Sequence, residues 1–169
     1  MVGSNTSRTD SSGNLDVTPI AACANPTDIV ISPDGSTAYV TCWGGGVDVL
    51  KTATNTVSAT IAVSGASGEA ITPDGQTLYP TDTAADEVKP ITTATNAVVV
   101  PIALCSTTFD PAPLGIVITP DDSSAYVASS NAVWPIDLAI AIVGSPISAS
   151  ATLTSGGTAI LIRFGIAIH

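Results

Sequence analysis

The chain has 169 residues, of which 14 are acidic and 4 basic, giving a formal net charge of −10. Its four cations, Arg8, Lys51, Lys89 and Arg163, are too dispersed to form a phosphate-binding stripe, and we expect no nucleic-acid partner. Thr, Ser, Ala, Val, Ile and Gly dominate while charged residues are only 11%, a composition that favours short β-strands over helices. No apolar run approaches the roughly 20 residues of a membrane span.

The first segments of the chain differ sharply in character. Residues 1–13 are polar and contain no apolar h-region, so we expect a flexible leader without a secretory signal. Residues 14–23, NLDVTPIAAC, read as a strand that recurs as NAVVVPIALC at residues 96–105.

A strand–turn–strand motif follows and occurs three times in the chain. Residues 29–42 read IVISPDGSTAYVTC, residues 70–82 read AITPDGQTLYPTD, and residues 116–130 read IVITPDDSSAYVASS. Each copy is followed by a third strand and a fourth strand, joined in the first two copies by an Ala-Thr-Asn turn. A four-stranded antiparallel unit that repeats at about 40 to 45 residues is the pattern of a β-propeller blade. We predict an all-β propeller-like array with blades at about 27–63, 68–104 and 114–148.

The turn residues support the hairpins. Proline presets φ, Asp bonds back to nearby amides, and Gly takes the left-handed conformation that closes the turn. Asp122 replaces that Gly in the third copy and should tolerate the same conformation. Asn55 and Asn96 should do likewise in the outer turns.

Three prolines fall inside predicted strands. Pro80, Pro90 and Pro135 each remove a ladder donor. Because Pro90 and Pro135 occupy equivalent positions, we expect the third strand of blades two and three to be distorted there.

The C-terminal stretch, residues 159–169, begins like a fourth inner strand. With residues 14–23 as an outer strand, the array amounts to about 3.5 blades in residues 14–169, fewer than the usual four to eight. The chain then either associates, remodels its fourth blade, or is a fragment of a larger propeller.

The residues ISPDGSTAYVT followed by VDVLKTATNTVSATIAV resemble the YVTN family of β-propeller repeats, named for Tyr-Val-Thr-Asn at the end of the second strand. Cys42, Asp82 and Ser129 stand where the family has Asn. The resemblance implies an exported or surface-layer protein, and its propellers are similar in outline to those of lactonases and of haem- or copper-containing reductases.

Few residues suit catalysis. The one histidine is His169, so His-centred triads and multi-His metal sites cannot be assembled. The three cysteines fit no metal motif by spacing. Cys23 and Cys42 should emerge at the same end of blade one, which makes a disulfide between them the expected pairing in an oxidising compartment. Cys105 is then free or intermolecular.

Candidate ligand-binding residues lie on the loops that join strand two to three and strand four to the next blade, the face on which propellers usually bind ligands. They are Trp43, Asp82, Asp86 and Asp110. The acids could bind calcium or be solvated loop acids. Trp43 and Trp134 could stack on a sugar or peptide, or be buried between blades. Glu69 replaces Ile29 and Ile116 at the start of an inner strand. It could be a ligand that lines the central channel or a substitution that is tolerated at the rim.

Three functions are compatible with these patterns. The first is a non-enzymatic extracellular binding or scaffold module without a cofactor, taking a protein or carbohydrate ligand. The second is a structural protein that self-associates through open terminal blades into a dimer or filament. The third is a lactonase-like enzyme with a metal on the loop face, which requires converging carboxylates.

Overall fold

The computed structural model describes residues 19–104, 111–130 and 132–148. These residues form fifteen strands in three antiparallel sheets, with no helix among them. None of the described residues therefore belongs to a helix long and apolar enough to cross a membrane. The sheets follow one another in chain order and pack face to face as successive blades.

Blade 1 is the most regular of the three sheets. Its order is β1-β2-β3-β4, with adjacent strands paired antiparallel throughout. Each of the four strands has six residues. They are β1 (Pro26–Ile31), β2 (Thr37–Cys42), β3 (Gly46–Lys51) and β4 (Thr56–Ile61).

Blade 2 keeps the same plan with its two outer strands interrupted. The inner pair is continuous, whereas the third and fourth strands are each split in two. The strands are β5 (Ala66–Ile71), β6 (Thr77–Asp82), β7 (Glu87–Val88), β8 (Ile91–Thr92), β9 (Ala97–Val98) and β10 (Ile102–Ala103).

Blade 3 has three continuous strands and a split fourth strand. The sheet runs β11-β12-β13-β14, and β15 also pairs with β13. The strands are β11 (Gly115–Ile118), β12 (Ser124–Ala128), β13 (Ala132–Asp137), β14 (Ile142–Val143) and β15 (Ile147–Ser148).

The prolines explain where the strands break. The carbonyl of Pro80 accepts from the amide of Lys89 at 2.9 Å, but Pro80 has no N–H to donate back, and the third strand splits next to Lys89. Pro90 and Pro135 likewise accept from Val99 and Gly144, both at 2.8 Å, so each loses a donor toward the fourth strand. The distortion predicted for the third strand occurs in blade 2. The same prediction at Pro135 is wrong, because β13 is continuous and the fourth strand is interrupted instead.

The hairpin turns have the predicted conformations. Gly35 and Gly75 have φ of 73°, and Asp122 takes the same left-handed region with φ of 59°. Asn55 and Asn96, in the outer turns, have φ of 54° and 56°. These residues confirm that the turn chemistry read from the sequence is the chemistry that closes each hairpin.

Two apolar layers hold the blades together. Tyr39, Val47 and Val49 of blade 1 pack on Leu78 and Ile91 of blade 2. Blade 2 packs on blade 3 through a second cluster of buried residues: Val88, Ile102, Leu104, Ile116, Ala125, Val127, Ala132, Trp134 and Ile136. The core therefore lies between blades, as the stacking of two-faced sheets requires.

Several predicted segments lie partly or wholly outside the described residues. The leader at 1–13, the strand at 159–169, Cys105 and Asp110 are among them. Of the strand predicted over 14–23, the described residues 19–23 adopt no strand conformation.

Candidate binding face

We define the loop face as the end of the blades that carries the β2–β3, β6–β7 and β12–β13 turns. Trp43 stands at its first turn, directly after the last residue of β2. Its amide donates to the carbonyl of Asn25 at 3.0 Å, and its side chain is 52% exposed. Gly44 and Gly46 follow with φ of 73° and 97°, and a Cβ on Gly46 would collide with the carbonyl of Ile61. The turn is therefore a fixed platform that presents an indole to solvent.

The second tryptophan is buried. Trp134 is 1% exposed and belongs to the apolar layer between blades 2 and 3. Its Nε1 donates to the hydroxyl of Ser129 at 3.3 Å. Of the two interpretations open for both tryptophans, burial between blades holds for Trp134, whereas Trp43 is available for contact.

Cys23 and Cys42 are joined by a disulfide, with their Cα atoms 6.0 Å apart. The bond ties residues 19–25 to the end of β2, next to Trp43. Gly45 sits against it, since a Cβ there would lie 3.2 Å from the Cβ of Cys42.

Asp82 is fully buried and occupied by contacts within the protein. Its Oδ2 accepts from Lys89 Nζ at 2.6 Å and from Ser64 Oγ at 3.0 Å, and its Oδ1 accepts from the amides of Ala84 and Ala85. Burial alone would raise the pKa of Asp82, but the hydrogen bonds from Lys89 and Ser64 outweigh it and hold the pKa below its usual value. We assign Asp82 a structural role in the β6–β7 turn.

Asp86 connects two parts of the loop face. It has φ of 55°, and its Oδ1 accepts from the amide of Ala112 at 2.9 Å. It thereby holds the segment before blade 3 against the turn of blade 2. Nearby, Thr83, the counterpart of Trp43, donates to the carbonyl of Pro113 at 2.6 Å. In blade 2 this turn makes interblade contacts, whereas in blade 1 its counterpart faces solvent.

Glu69 is the titratable residue that sequence reasoning placed least well. It is 5% exposed, and neither carboxylate oxygen has a hydrogen-bond partner. Burial, followed by the negative charge of Asp28, raises the pKa of Glu69 to about 8, while the backbone near Thr41 and Val30 lowers it only partly. The rim position predicted for Glu69 is wrong, because the residue lies between blades 1 and 2. Its substitution for Ile in the repeat was the signal that could have shown this.

A groove of ≈ 350 Å³ lies at the opposite end, between the Pro-Asp-Gly turns of blades 1 and 2. Asp34 and Asp74 line it. Hydrogen bonds from Ser32 and Ser36 lower the pKa of Asp34 to about 2, and those from Thr72 and Gln76 lower that of Asp74. Both carboxylates thus brace their own turns.

The chain resembles several solved structures, although no protein-family model and no curated protein matches it. The hydrazine synthase of Kuenenia stuttgartiensis is similar over 80% of this chain, with 29% identity and a TM-score of 0.68. The WD40 repeats of RRP9 match 74% at 14% identity and a TM-score of 0.65, and U3-55K matches 76% at 14% identity and a TM-score of 0.66. The chain spans 39%, 39% and 40% of these three chains. The likeness confirms the β-propeller fold, whereas membership of the YVTN family stays a prediction.

Proposed function

We propose that the chain is a non-enzymatic, extracellular binding and scaffold module that takes a protein ligand on its loop face, with Trp43 as the central contact. The observation that carries this proposal is the exposure of 52% of Trp43 on a turn fixed by backbone hydrogen bonds. Large aromatic side chains dominate the binding energy of protein interfaces. A residue already held in place loses little conformational freedom on binding.

Two acids of the loop face are already engaged within the protein, which favours an apolar contact at Trp43. Asp82 is paired with Lys89 inside the protein, and Asp86 is engaged by the amide of Ala112. The exposed Ile20, which is 44% accessible, lies three positions before the cysteine that is bonded beside Trp43. A protein segment with an apolar pocket for the indole fits this surface best.

The fold does not choose the ligand, because similar propellers occur in a hydrazine synthase and in WD40-repeat proteins. An extracellular location is supported by the Cys23–Cys42 disulfide, since such bonds persist in oxidising compartments. The YVTN resemblance, which implies exported proteins, supports the same location.

A displayed random-peptide library, selected on the immobilised protein, tests the ligand class. We expect selected peptides to lose at least about tenfold in affinity for Trp43→Ala. Ile140→Ala is the matched control, because Ile140 is 62% exposed in the β13–β14 turn at the opposite end. Peptides that bind Trp43→Ala as well as the unaltered protein would refute the proposal. Binding on a glycan array with the same dependence on Trp43 would assign a carbohydrate ligand instead.

Self-association is the second candidate function, and one observation favours it. Ile29 and Ile31 project from one side of β1 and are 60% and 55% exposed. Exposed aliphatic residues at a blade face can pair with another chain. Light scattering should show a dimer or larger assembly that Ile29→Asp dissolves, while Trp43→Ala leaves it intact. A monomer at all concentrations removes this candidate.

The lactonase-like function needs carboxylates that converge on the loop face. Within residues 19–104, 111–130 and 132–148, the one group of three metal-capable side chains consists of Cys23, Cys42 and Asp48. No observation on the described loop face favours a carboxylate-bound metal, and we place this function last.

A further inference from the structure

Three potential metal ligands meet at the base of the Trp43 turn. Cys23 comes from the segment before β1, Cys42 ends β2, and Asp48 lies in β3. Their sulfur and carboxylate oxygen atoms all lie within 4.8 Å of one another. Cys42 and Asp48 are 0% and 5% exposed, while Cys23 is half-buried and gives access from solvent. The grouping is produced by the fold, because the cysteine spacing matches no metal motif.

The other two blades show what this position normally contains. The counterparts of Cys42 and Asp48 in blade 2 are Asp82 and Lys89, which form an ion pair at 2.6 Å. In blade 3 they are Ser129 and Trp134, joined by a hydrogen bond at 3.3 Å. In both of these blades a complementary pair of side chains thus connects the end of the second strand to the third strand.

Blade 1 lacks a complementary partner for its acid. Asp48 accepts one side-chain hydrogen bond, from Thr60 Oγ1 to Oδ1 at 2.6 Å. The one ion pair among the described residues is that of Lys89 with Asp82. A buried carboxylate beside two sulfur atoms, with no cationic side chain paired to it in this part of the chain, is the environment that attracts a metal cation.

We propose that Cys23, Cys42 and Asp48 form a zinc site when the disulfide is reduced. Zinc–sulfur bonds of about 2.3 Å in a tetrahedron place two thiolates about 3.8 Å apart. The two sulfur atoms are now bonded to each other, so reduction must let them move apart by roughly 2 Å to reach that separation. The carboxylate oxygen of Asp48 already lies within 4.8 Å of both. Two thiolates and one carboxylate with a water molecule complete four ligands, a set that suits zinc better than the hard cations calcium and magnesium.

The chemistry requires a reductant and balances as follows. A dithiol reductant gives two electrons and two protons to the Cys23–Cys42 bond, producing two thiols while the reductant becomes a disulfide. Zinc then binds both sulfur atoms and the Asp48 carboxylate, and the two thiol protons are released to solvent. No other group is oxidised or reduced.

The disulfide and the zinc ion would link the same two segments. The disulfide and the zinc ion each fasten residues 19–25 to the end of β2, against which Gly45 and Trp43 are placed. The site therefore maintains the loop face in reducing as well as oxidising surroundings, and this role is independent of the ligand that Trp43 binds.

Cobalt(II) titration of the reduced protein, followed by displacement with zinc, tests the site. All variants carry Cys105→Ser so that the third cysteine cannot contribute. We expect one equivalent of cobalt, with thiolate-to-cobalt charge-transfer absorption, in the reduced protein and none in the oxidised protein. Asp48→Asn retains an oxygen for Thr60 and should weaken the affinity at least about tenfold, and Cys23→Ser should abolish the absorption.

Thermal unfolding of the same samples separates a folded site from cysteines in an unfolded chain. Zinc should raise the melting temperature of the reduced protein and leave that of the oxidised protein unchanged. The proposal is overturned if the reduced protein shows no charge-transfer absorption, if Asp48→Asn binds as tightly as the parent, or if zinc fails to stabilise the reduced fold.

Discussion

The two interfaces between adjacent blades differ at one equivalent position. We call the interface between blades 1 and 2 the first joint and that between blades 2 and 3 the second joint. Between blades 2 and 3, Ile116 of β11 is 7% exposed and packs in the apolar layer. Between blades 1 and 2, the same position of β5 holds Glu69, which is 5% exposed with both oxygens unpartnered. This position is therefore buried in blades 2 and 3, where a preceding blade packs against it, and the residue there decides whether the interface is apolar or carries a titratable group.

The first joint depends on protonation as a result. Burial and the neighbouring charge of Asp28 raise the pKa of Glu69 to about 8. In the folded protein the carboxyl is therefore protonated at neutral pH, which removes the charge but leaves both oxygens buried without a hydrogen-bond partner. The second joint has no such group at this position.

The largest effect is expected when the acid is moved to the second joint. Ile116→Glu loses apolar burial and places a carboxyl among Val127, Trp134 and Ile136. We expect the free energy of unfolding to fall by about 4–5 kcal/mol in urea titration at pH 9. Ile29→Glu is the matched control, because Ile29 occupies the same strand position with 60% exposure, and it should change stability by about 0.5 kcal/mol at most. If both variants lost the same unfolding free energy, burial of this position between blades would not be the cause of the loss.

The pH dependence of stability comes next. An unfolded chain releases the Glu69 proton near the ordinary value of 4.5, whereas the folded protein keeps it to about 8. Between these values the folded state binds a proton that the unfolded state does not. The contribution of Glu69 to the free energy of unfolding therefore decreases as pH rises through this window and levels off above it. We expect this contribution to decrease by about 2–4 kcal/mol, measured as the unfolding free energy of the parent relative to Glu69→Gln between pH 4.5 and 9.

Two variants complete that measurement. Glu69→Gln is nearly isosteric and cannot titrate, so the difference from the parent isolates this residue from the other acids. Glu69→Ile makes the interface between blades 1 and 2 resemble that between blades 2 and 3. This variant should be more stable than the parent at pH 9, and position 69 should then contribute no pH dependence to its stability. A parent-minus-Gln difference that stays constant across the window contradicts the role assigned to Glu69.

A smaller effect should come from close backbone packing in the second joint. A Cβ on Gly68 would collide with the carbonyl of Leu114 and lie 2.7 Å from the Cα of Gly115. Gly68→Ala should therefore lower the unfolding free energy by about 1–3 kcal/mol. Gly115→Ala is the control, since a Cβ added to Gly115 would have no other atom within 4 Å. If both variants melt at the same temperature, the inner strands of blades 2 and 3 do not approach this closely.

The smallest effect concerns Asp28 at the first joint. Its Oδ2 accepts from the amide of Glu69 at 3.0 Å, and an Asn oxygen can accept in the same way. Because Asp28 is exposed and its charge is screened, Asp28→Asn should change stability by less than about 1 kcal/mol. The variant should lower the pKa of Glu69, which moves the midpoint of the pH profile toward acid. A midpoint that moves toward alkali would contradict the repulsion between the two acids.

Local sequence was a good guide to the strands and turns and a poor guide to surroundings. Gly35, Asp122 and Asn96 were placed correctly because left-handed turn conformations are properties of single residues. The distortion at Pro135 was predicted wrongly because blade 2 also loses the donor of Pro80 in its second strand, whereas blade 3 has Val127 there and keeps the pairing of β12 with β13. Asp82 was predicted to contact a ligand, and only its contact with Lys89 shows that the carboxylate is already occupied.

The sequence by itself determined the three copies of the hairpin, their period and hence the β-propeller, since alternation and turn residues act over a few positions. Tertiary structure alone decided that Trp134 is buried and Trp43 exposed, that Glu69 lies within a joint, and that Asp48 meets the two cysteines. These outcomes depend on which blade covers which face. That covering is a property of packing between distant segments, which no local pattern contains.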